Sequence, residues 1–575
     1  MVSFQHLPEE ILLNILVSLR IHDLLACCTT CKRFQYLLKH STLLQLIVEL
    51  AVQGLRLRTY TNLKEDEGAS VDILNAFRRS QKAWKKLEPF KTATIPLSKF
   101  EYEICGRLFA HGIYNGTNNF RGIEFNDLKI DYETEPTSVP IWKRIEDIGV
   151  DVLDYSFDVT SDLLVVVENL DNSVLHRQNR VLLLTMSDGC PHPQAAQTYL
   201  FFKRADFLNQ CIIKIVDDYL AISLRTIPTF DEAGETLTVW NWKTGVMCHM
   251  RDNIYGYAFM SSDTLALVVP VWKDSSTIMA GIELLHLEKG SADVLLVLPY
   301  TGFPLQMIVL SDKPTVDSPK MLENTPLSPF VIDETAERIM AIHSENSHLF
   351  IACRPLLRIL LDESIKPLSK KPYKLPYGRV FKWRQWGPEN TILLPVRPIS
   401  PGFVAVNGGR FCSLVESTQP VFFTNKDIRN SDKKRKFPQE KAKEDGDDEL
   451  DSLVVDIRDS PSEEDAPSEV WSILVLDFNP RPILRAAFKR EEADEAVKGG
   501  ENGEESWWKR FRKRTKVIKW GSESSKLNEP KFGGLPFRAY QRPMRRRCTD
   551  MILTIDHIIG IAEDETGYDV LQFVD

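Results

Sequence analysis

The residues best suited to chemistry in this chain are three closely spaced cysteines near its beginning, Cys27, Cys28 and Cys31. Cys28 and Cys31 have the C-x-x-C spacing of half a zinc site or of a redox pair. No second cysteine pair and no histidine pair with ligand spacing accompanies them. Because a structural zinc site needs four ligands, the sequence favours neither metal nor redox chemistry, and it predicts no cofactor.

Short catalytic signatures are missing as well. The chain contains no G-x-S-x-G nucleophile elbow, no G-x-x-x-x-G-K-[ST] phosphate loop and no H-E-x-x-H metal motif. Its 11 histidines are scattered, and its acidic residues are too numerous to single out a catalytic pair. The sequence therefore predicts no catalytic residue, and it favours a binding protein whose partners carry out the chemistry.

The first structural element is predicted from the sequence Leu7-Pro8-Glu9-Glu10-Ile11-Leu12. Pro8 suits the first turn of a helix, and the two glutamates would lie at the positive end of the helix dipole. The apolar residues that follow have the spacing of one helix face; they are Ile11, Leu12, Ile15, Leu16 and Leu19. Two further short helices are predicted, the first capped by Asp23 and the second by Thr29 or Thr30.

Three short helices make a poor independent core, although apolar residues are dense in this stretch. Such a unit completes its core against the rest of its own chain or against another protein. The pattern alone leaves two interpretations open: a helical cap on the domain that follows, or a docking module.

The same residues resemble the F-box motif in order and spacing along its whole length. The matching positions are Leu7, Pro8, Glu10, Ile11, Leu12, Ile15, Leu16, Leu19, Asp23, Leu24, Leu25, Cys28, Cys31, Lys32, Phe34 and Leu37. Thr30 departs from the motif, in which an aliphatic or small residue is common at that position. The resemblance implies a three-helix module that docks on the adaptor subunit of an SCF-type cullin–RING ubiquitin ligase, with Cys28 and Cys31 as buried apolar residues.

Nine residues, carried over by their motif positions, are implied to form or support the adaptor-docking surface. They are Leu7, Pro8, Ile11, Leu12, Ile15, Leu16, Leu24, Leu25 and Phe34. An apolar helix face of this kind suits the groove or the helices of a partner. The sequence does not separate the residues that face the core of the module from those that face the partner.

Length and composition limit the class of protein. The chain has 575 residues, which indicates several domains or one domain with long insertions. Its net charge of −9 argues against a nucleic-acid-binding protein, since such proteins usually carry a basic surface. It has no apolar run long enough to span a membrane and no signal-peptide pattern at its beginning. A cytoplasmic or nuclear protein is expected, with neither membrane nor nucleic acid as a partner.

Two more helices are predicted to connect the first module to the rest of the chain. The apolar stretch from Leu43 onward predicts one helix that stops at Gly54, and it resembles the extension found in many fungal F-box proteins. Ile73, Leu74, Phe77, Trp84 and Leu87 predict an amphipathic helix that ends before Pro89. A rigid connection is expected, because it would fix the distance between a substrate and a ubiquitin donor.

After Pro89 the sequence consists of short β-branched and aromatic runs bounded by Gly, Asp, Asn and Pro. Three runs open with an aspartate, at Asp162, Asp218 and Asp263, which are 56 and 45 residues apart. Repeats of this length with several strands each are typical of propeller blades. The segment 238–245, Thr-Val-Trp-Asn-Trp-Lys-Thr-Gly, resembles the signature that closes a WD-repeat blade, with Asn241 where Asp is usual.

The predicted fold class is therefore α+β and multidomain: a three-helix F-box at 1–50, a helical linker at 51–89 and an all-β domain at 90–575. A degenerate β-propeller of about six to eight blades is expected for the last part, because radial repetition protects strand edges that an open sheet would expose. A pair of β-sandwiches is the alternative. The last strand, Tyr568 to Val574, is expected to pair with an early strand and close the ring.

Two charged segments interrupt the β-rich pattern. Residues of about 427–468 combine the basic run Lys433–Lys436 with acidic runs, which predicts a disordered insertion. The basic run is a candidate nuclear localisation signal, with a solvated run of charges as the alternative. Residues of about 489–530 interleave aromatic and basic side chains at Trp507–Arg514. With Arg545–Arg547, that segment could bind nucleic acid or an acidic peptide, although such residues are more often blade-edge aromatics with solvated lysines and arginines.

The function predicted from these features is that of a substrate-receptor subunit of an SCF-type ubiquitin ligase. The F-box would bind the adaptor and through it the cullin, and the β-rich domain would bind an unidentified protein substrate. Ubiquitin transfer would be accelerated because the receptor holds a substrate lysine near the loaded ubiquitin, so the receptor needs no catalytic residue. Two alternatives remain: an F-box scaffold that works outside a ligase, and an enzyme with its site in the propeller channel.

Overall fold

The structure is a computed structural model, and it describes most of the chain in segments. The described residues are 7–58, 67–96, 102–114, 120–129, 140–169, 178–203, 208–226, 235–272, 278–299, 308–312, 328–344, 347–366, 377–394, 405–416, 471–482, 535, 537–544, 548–562 and 567–574.

Helices dominate the beginning of the chain. The helices in the described residues are α1 (Glu9–Val17), α2 (Ile21–Cys28), α3 (Lys32–His40), α4 (Thr42–Val52), α5 (Glu67–Lys86), α6 (Cys353–Leu361) and α7 (Trp383–Asn390). Helices α1 to α3 are the three predicted from the sequence, and α4 and α5 are the two predicted connecting helices. The predicted linker at 51–89 also contains a strand, β1 (Leu55–Leu57).

Strands account for nearly all the regular structure after Pro89. The first group is β2 (Lys91–Pro96), β3 (Tyr102–Cys105), β4 (Leu108–Tyr114), β5 (Phe120–Asp127), β6 (Ile141–Ile145), β7 (Val152–Asp158), β8 (Leu163–Glu168), β9 (Gln178–Thr185) and β10 (Tyr199–Lys203). The second group is β11 (Leu208–Val216), β12 (Tyr219–Thr226), β13 (Glu235–Asn241), β14 (Val246–Ile254), β15 (Gly256–Ser261), β16 (Thr264–Trp272), β17 (Ile278–His286) and β18 (Ser291–Val297). The third group is β19 (Ile308–Ser311), β20 (Phe330–Ile332), β21 (Ile339–Ser344), β22 (Ser347–Ala352), β23 (Arg379–Phe381) and β24 (Thr391–Leu394). The last group is β25 (Val406–Asn407), β26 (Arg410–Glu416), β27 (Trp471–Asp477), β28 (Arg538–Pro543), β29 (Cys548–Leu553), β30 (His557–Ala562) and β31 (Gly567–Gln572).

The described strands form seven antiparallel four-stranded units, which we number as blades. Blades 1 to 4 are β3–β6, β7–β10, β11–β14 and β15–β18; blade 5 is β19, β21, β22 and β24; blade 6 is β25–β28; blade 7 is β29, β30, β31 and β2. Blades 1 and 2 are joined into one sheet by a single pair, Phe120 with Val152. Repeated four-stranded units are the architecture of a β-propeller.

One backbone hydrogen bond recurs in every blade. In each case the N–H of the residue after the third strand donates to the carbonyl of the residue before the second strand. The donor and acceptor pairs are Leu128 and Arg107, Met186 and Asp162, Trp242 and Asp218, Leu287 and Asp263, Cys353 and Arg338, Phe478 and Gly409, and Phe573 and Asp556, at 2.8–3.0 Å. The sevenfold recurrence shows that the units are structural repeats, and the aspartates at 162, 218 and 263 occupy the same position in three of them.

The ring of blades is closed. Strand β2, which follows the connecting helix, pairs antiparallel with β31 near the end of the chain, with Lys91 opposite Gln572 and Pro96 opposite Gly567. A separate apolar cluster fills each space between neighbouring blades, and the cluster of Ile95, Phe109 and Val570 lies between blade 7 and blade 1. The expected pairing of the last strand with an early strand is confirmed, and the sandwich alternative is wrong.

The first strand of each blade lies nearest the centre of the ring. Lys214 on β11 of blade 3 reaches past blade 4, and its ammonium group donates to the hydroxyl of Ser311 on β19 of blade 5 at 2.7 Å. Such a contact between non-adjacent blades is possible only across the centre. The connections from first to second and from third to fourth strands lie at one end of the blades, which we call the lower face; the other connections lie at the upper face.

Two additions extend the seven repeats. In the connection after the third strand of blade 5, helices α6 and α7 flank β23, which pairs in parallel with the outer strand β18 of blade 4. In the connection after the first strand of the same blade, β20 pairs antiparallel with β1, so that Leu55 faces Ile332. Strand β20 thereby joins the ring to the N-terminal helices.

The WD-like signature lies at the end of β13, as the sequence predicts. Trp242 is fully buried, and its indole N–H donates to the carbonyl of Asp217 at 2.8 Å. The side-chain oxygen of Asn241 accepts the N–H of Thr244 at 3.0 Å, which shapes the turn where aspartate is usual. Gly245 in that turn has φ +72°, a conformation that favours glycine.

Several sequence predictions fall outside the described residues. They are the insertion at about 427–468 with Lys433–Lys436, the segment at about 489–530 with Trp507–Arg514, and the basic run Arg545–Arg547.

Candidate functional site: the outer face of the N-terminal helices

Helix α1 begins directly after Pro8. Pro8 occupies the N-cap position with φ −52° and ψ 150°, and its carbonyl accepts the N–H of Leu12 at 3.1 Å. Glu9 and Glu10 form the first turn, where carboxylates interact favourably with the helix dipole. The proline therefore lies one position before the helical turn that the sequence predicts for it.

Helix α1 carries apolar residues on both its buried and its exposed face. Leu12 and Leu16 are buried in a core shared with α2, α3 and α4. Ile11 is 46% exposed, Pro8 is exposed, and Ile15 is half-buried. Positions 8, 11 and 15 are three and four residues apart, so these side chains lie on one face of the helix. An apolar stripe on the outer side of a helix is a candidate contact surface.

The two leucines of helix α2 also differ in burial. Leu24 is fully buried, whereas Leu25 is half-buried and lies outside the core cluster. The predicted cap by Asp23 is wrong: the helix begins two residues earlier, at Ile21, and Arg20 occupies the N-cap position without a side-chain hydrogen bond. Asp23 lies instead within the first turn, where its charge interacts with the helix dipole.

Helix α3 contributes Phe34 to the buried core. The predicted caps by Thr29 or Thr30 are wrong, because their hydroxyls donate to the carbonyls of Ala26 and Cys27, each at 2.7 Å. They thus close the end of α2, where backbone carbonyls lack helical partners. Cys31 occupies the N-cap position of α3, without a side-chain hydrogen bond.

Tyr36 is an exposed aromatic residue that the sequence analysis missed. It is 52% exposed, and its ring lies 4.1 Å from the ring of His40, one turn further along α3. The signal was available: a residue two positions after the buried Phe34 projects from the opposite side of a helix. Exposed tyrosines are common at the centres of protein interfaces.

Leu7 is intermediate in burial between the core residues and the exposed ones. Its side chain packs against the helical core, and its carbonyl accepts a hydrogen bond from the guanidinium of Arg33 at 2.8 Å. This contact ties the segment before α1 to the start of α3.

The nine predicted docking residues therefore divide by burial. Leu12, Leu16, Leu24 and Phe34 form the core; Pro8, Ile11, Ile15 and Leu25, which we call the outer residues, are exposed or half-buried; Leu7 lies between the two groups.

The three neighbouring cysteines are also part of this region. Burial, followed by the proximity of Cys27 and Cys31, raises the pKa of the Cys28 thiol to about 11. The thiol donates weakly to the carbonyl of Phe34, with the sulfur 3.8 Å from the oxygen. A metal ligand or redox nucleophile acts as a thiolate, whereas burial keeps Cys28 a thiol, which suits a packing role.

A family model described as F-box-like matches residues 4–45, which span α1 to α3 and the start of α4. Residues 4–45 are an F-box-like domain. The resemblance stated from the sequence is confirmed over this range.

The search of solved structures finds several propellers at low identity. The WD40 domain of SCAP from fission yeast is 7% identical, with a TM-score of 0.31, and the match covers 82% of each chain. The β-propeller domain of the trilobed protease from Pyrococcus furiosus is 10% identical, with a TM-score of 0.23, covering 46% of this chain and 78% of that one. BamB from Moraxella catarrhalis is 10% identical, with a TM-score of 0.21, covering 44% and 72%. These TM-scores are low, so the propeller assignment depends on the strand pairing. No curated protein matches the chain.

Helix α4 is shared between the F-box-like domain and the connection to the ring. Leu44 and Ile47 pack in the core of the F-box-like domain. Leu46 and Leu50 pack in a second cluster. Their partners there are Leu57, Leu74, Phe77 and Phe330. One rigid helix therefore carries the packing of both regions.

Helix α5 packs directly on the ring. The Trp84 ring stacks on that of Phe573, just after the third strand of blade 7, at 4.1 Å between centroids. The guanidinium of Arg410 from blade 6 lies 4.8 Å from the Trp84 centroid. The guanidinium of Arg542 on β28 donates to the carbonyl of Leu87 at 2.5 Å. The F-box-like domain is thus held on the lower face, beside blades 5, 6 and 7.

Two features typical of other functional classes are absent from the described residues. No group of three or more His, Cys, Asp or Glu residues in it is placed to hold a metal ion. Among the helices that the structure describes, none is both long enough and apolar enough to span a bilayer.

Proposed function

We propose that this chain is a substrate-receptor subunit of an SCF-type cullin–RING ubiquitin ligase. The F-box-like domain docks on the adaptor through the outer residues, and the core residues Leu12, Leu16, Leu24 and Phe34 support them from behind. The propeller binds a protein substrate. The ligase acts by holding the substrate near the loaded ubiquitin, so the receptor needs no catalytic residue and no cofactor of its own.

The observation that carries this proposal is the two-sided apolar character of α1. The inner face already fills the core of the F-box-like domain, yet Ile11 stays 46% exposed beside Pro8 and Ile15. An unpartnered apolar stripe on a helix is suited to the groove or helices of another protein. Tyr36 adds an exposed aromatic residue on α3.

The position of the F-box-like domain favours the upper face of the ring as the substrate surface. Most contacts of the connecting segments with the ring lie at the lower face: Phe573 stacks on Trp84, and Phe330 packs against Phe77. The N–H of Asp333, in the same connection as Phe330, donates to the carbonyl of Gly54 at 2.9 Å. A substrate on the upper face would approach without displacing the adaptor. We place the protein in the cytoplasm or the nucleus, where cullin ligases work.

The test is capture of the adaptor and the cullin by the intact chain. We expect Ile11→Asp to abolish capture, because a carboxylate at an apolar contact is desolvated without a partner. Val246→Asp is the matched control, since Val246 on β14 is another exposed aliphatic residue, at 59% exposure, far along the chain from the F-box-like domain. Failure of the folded wild-type chain to capture any adaptor would end the proposal.

The alternative of a scaffold that works outside a ligase gives a different result in the same experiment. The adaptor would be captured without the cullin, or the adaptor complex would not ubiquitinate any protein retained by the propeller. The alternative of an enzyme with a site in the ring centre gains no support from a metal site, since no group of three or more His, Cys, Asp or Glu among the described residues is placed to hold a metal ion.

A further inference from the structure

The last turn of α4 packs against the ring, and two of its carbonyl groups accept hydrogen bonds from side chains of the ring. The final carbonyls of a helix have no partners within the helix. The carbonyl of Val52 accepts a hydrogen bond from the side-chain amide of Asn479 at 3.1 Å. The carbonyl of Ala51 accepts one from the guanidinium of Arg481 at 2.5 Å. The two donors are 427 and 430 residues away from the carbonyls that they bind.

Arg481 holds two segments at once. Its Nη1 donates to the carbonyl of Ala51 at the end of α4. Its Nη2 donates to the carbonyl and the hydroxyl of Thr335, both at 3.2 Å. Thr335 lies between β20 and β21, in the connection that pairs with the segment after α4. A guanidinium is planar and binds two acceptors in a fixed geometry, so it sets both the spacing and the angle between these segments.

The residues that carry these donors are themselves held by the ring. The backbone N–H of Asn479 donates to the carboxylate of Asp477 at 3.0 Å, at the end of β27. The side-chain oxygen of Asn479 accepts the backbone N–H of Arg481 at 3.1 Å. Since Asp477 ends the third strand of blade 6, the position of both donors follows the position of that blade.

Charge also favours this arrangement. A cation near the C-terminus of a helix interacts favourably with the helix dipole. Burial lowers the pKa of Arg481, and the nearby Asp333 opposes that effect. The guanidinium remains charged at neutral pH, because arginine does not lose its proton in proteins.

We propose that Asn479 and Arg481 are positioning residues that lock the F-box-like domain to the propeller, so that the two move as one body. The angle between them is set by the propeller itself and not only by the connecting helices. The proposal goes beyond the ligase function and does not depend on it, since the angle is a property of the isolated chain.

The test is a distance distribution measured by double electron–electron resonance on the full chain. Spin-labelled non-canonical amino acids replace Gln35, which is exposed on α3, and Glu288, which is exposed in the turn before β18. We expect one narrow distribution for the otherwise unaltered chain. Asn479→Ala combined with Arg481→Ala is expected to broaden or shift it.

Arg354→Ala is the matched control. The Arg354 guanidinium also donates to the carbonyl of Thr335, at 3.0 Å, but among the described residues it makes no hydrogen bond with α4. This variant should leave the distribution unchanged. Arg481→Lys provides a milder variant in case the double variant unfolds, because lysine keeps the charge but cannot bind the two segments in one plane.

An unchanged, narrow distribution in the folded double variant would overturn the proposal, as would a broad distribution in the chain without these substitutions. The amount of adaptor captured by the double variant separates this inference from the ligase proposal. It should remain at the wild-type level, because the outer residues are untouched.

Discussion

Ile11 and Leu12 are adjacent in sequence and lie on opposite sides of helix α1: Ile11 is 46% exposed, and Leu12 is fully buried. The two residues therefore separate binding from stability. Ile11→Asp is expected to change the free energy of unfolding by less than about 0.5 kcal/mol, whereas Leu12→Ala should lower it by about 2–5 kcal/mol.

Urea unfolding followed by circular dichroism measures both changes. If Ile11→Asp were to destabilise the chain as much as Leu12→Ala does, Ile11 would be a core residue of the F-box-like domain. Its proposed role in binding would then lose its support.

Trp242 is expected to be the residue of the WD-like signature that matters most for stability. Its ring is fully buried between blades 2 and 3, edge-on to the ring of His192 at 4.8 Å, and its N–H binds the carbonyl of Asp217. Trp242→Ala should cost about 3–5 kcal/mol of unfolding free energy. Trp242→Phe should cost less, about 0.5–1.5 kcal/mol, because the carbonyl of Asp217 loses its donor.

Thermal unfolding of the two variants gives this order directly. A Phe variant as stable as the wild type would show that the hydrogen bond to Asp217 contributes nothing, and that the residue acts by apolar packing alone.

The carboxyl group of Asp556 makes stability depend on pH. Burial raises its pKa to about 6, against an opposing hydrogen bond from Ser328 at 3.1 Å. The folded chain thus holds this proton more tightly than the unfolded chain, in which an aspartate has a pKa of about 3.9. The contribution to stability is fully present below about pH 4 and is lost as the pH rises through 6.

Asp556→Asn keeps an acceptor for Ser328 and removes the buried charge. At pH 7.5 it should stabilise the chain by up to about 3 kcal/mol, and the gain should vanish near pH 4. Denaturant titrations at several pH values test this, with Asp72→Asn as control at an exposed site on α5. Equal effects of Asp556→Asn at pH 4 and pH 7.5 would contradict it.

His348 has the opposite dependence on pH. It is fully buried among Phe350 and Phe411, and neither ring nitrogen has a hydrogen-bond partner within the described part of the chain. Burial, with a smaller effect of His343, lowers its pKa to about 3. The unfolded chain takes up a proton near pH 6.5, so the stability from this group is lost as the pH falls from about 6.5 towards 3.

His348→Leu should make the chain more resistant to acid and flatten the fall in stability between pH 6.5 and pH 4. His22→Leu, at an exposed site on α2, should not. A His348→Leu variant with the acid sensitivity of the wild type would show that this histidine is protonated in the fold.

The sequence predicts the propeller well where a repeat has a side-chain signature. The three aspartates at 162, 218 and 263 are recognisable because aspartate favours turns. Blade 7 also has an aspartate there, Asp556, which the sequence analysis missed, whereas in the other three blades the same position is held by Arg107, Arg338 and Gly409. The recurring bond uses only the backbone carbonyl of that residue, so any residue type can supply it. Three of the seven repeats in the described chain therefore lack the aspartate and are invisible to a search for it.

The candidate site shows a similar limit. The spacing of Ile11, Leu12, Ile15 and Leu16 predicts an apolar helix. Because both faces of that helix carry apolar residues, the sequence does not show which face is buried; packing with α2, α3 and α4 decides it. The contacts of Arg481 and Asn479 with α4 could not be predicted at all. They join residues more than 400 positions apart, and no local pattern encodes such a pairing.

The closure of the ring also has a consequence for synthesis of the chain. Strand β2 leaves the ribosome early, and its partner β31 follows much later; Thr94 and Asp569, which share a hydrogen bond across the two strands, are 475 residues apart. At about 5–20 residues per second, the edge of β2 waits for roughly 25–95 seconds without its partner. The nascent protein is therefore a candidate client for chaperones that shield unpaired strands, and its yield should depend on them more than its final stability does.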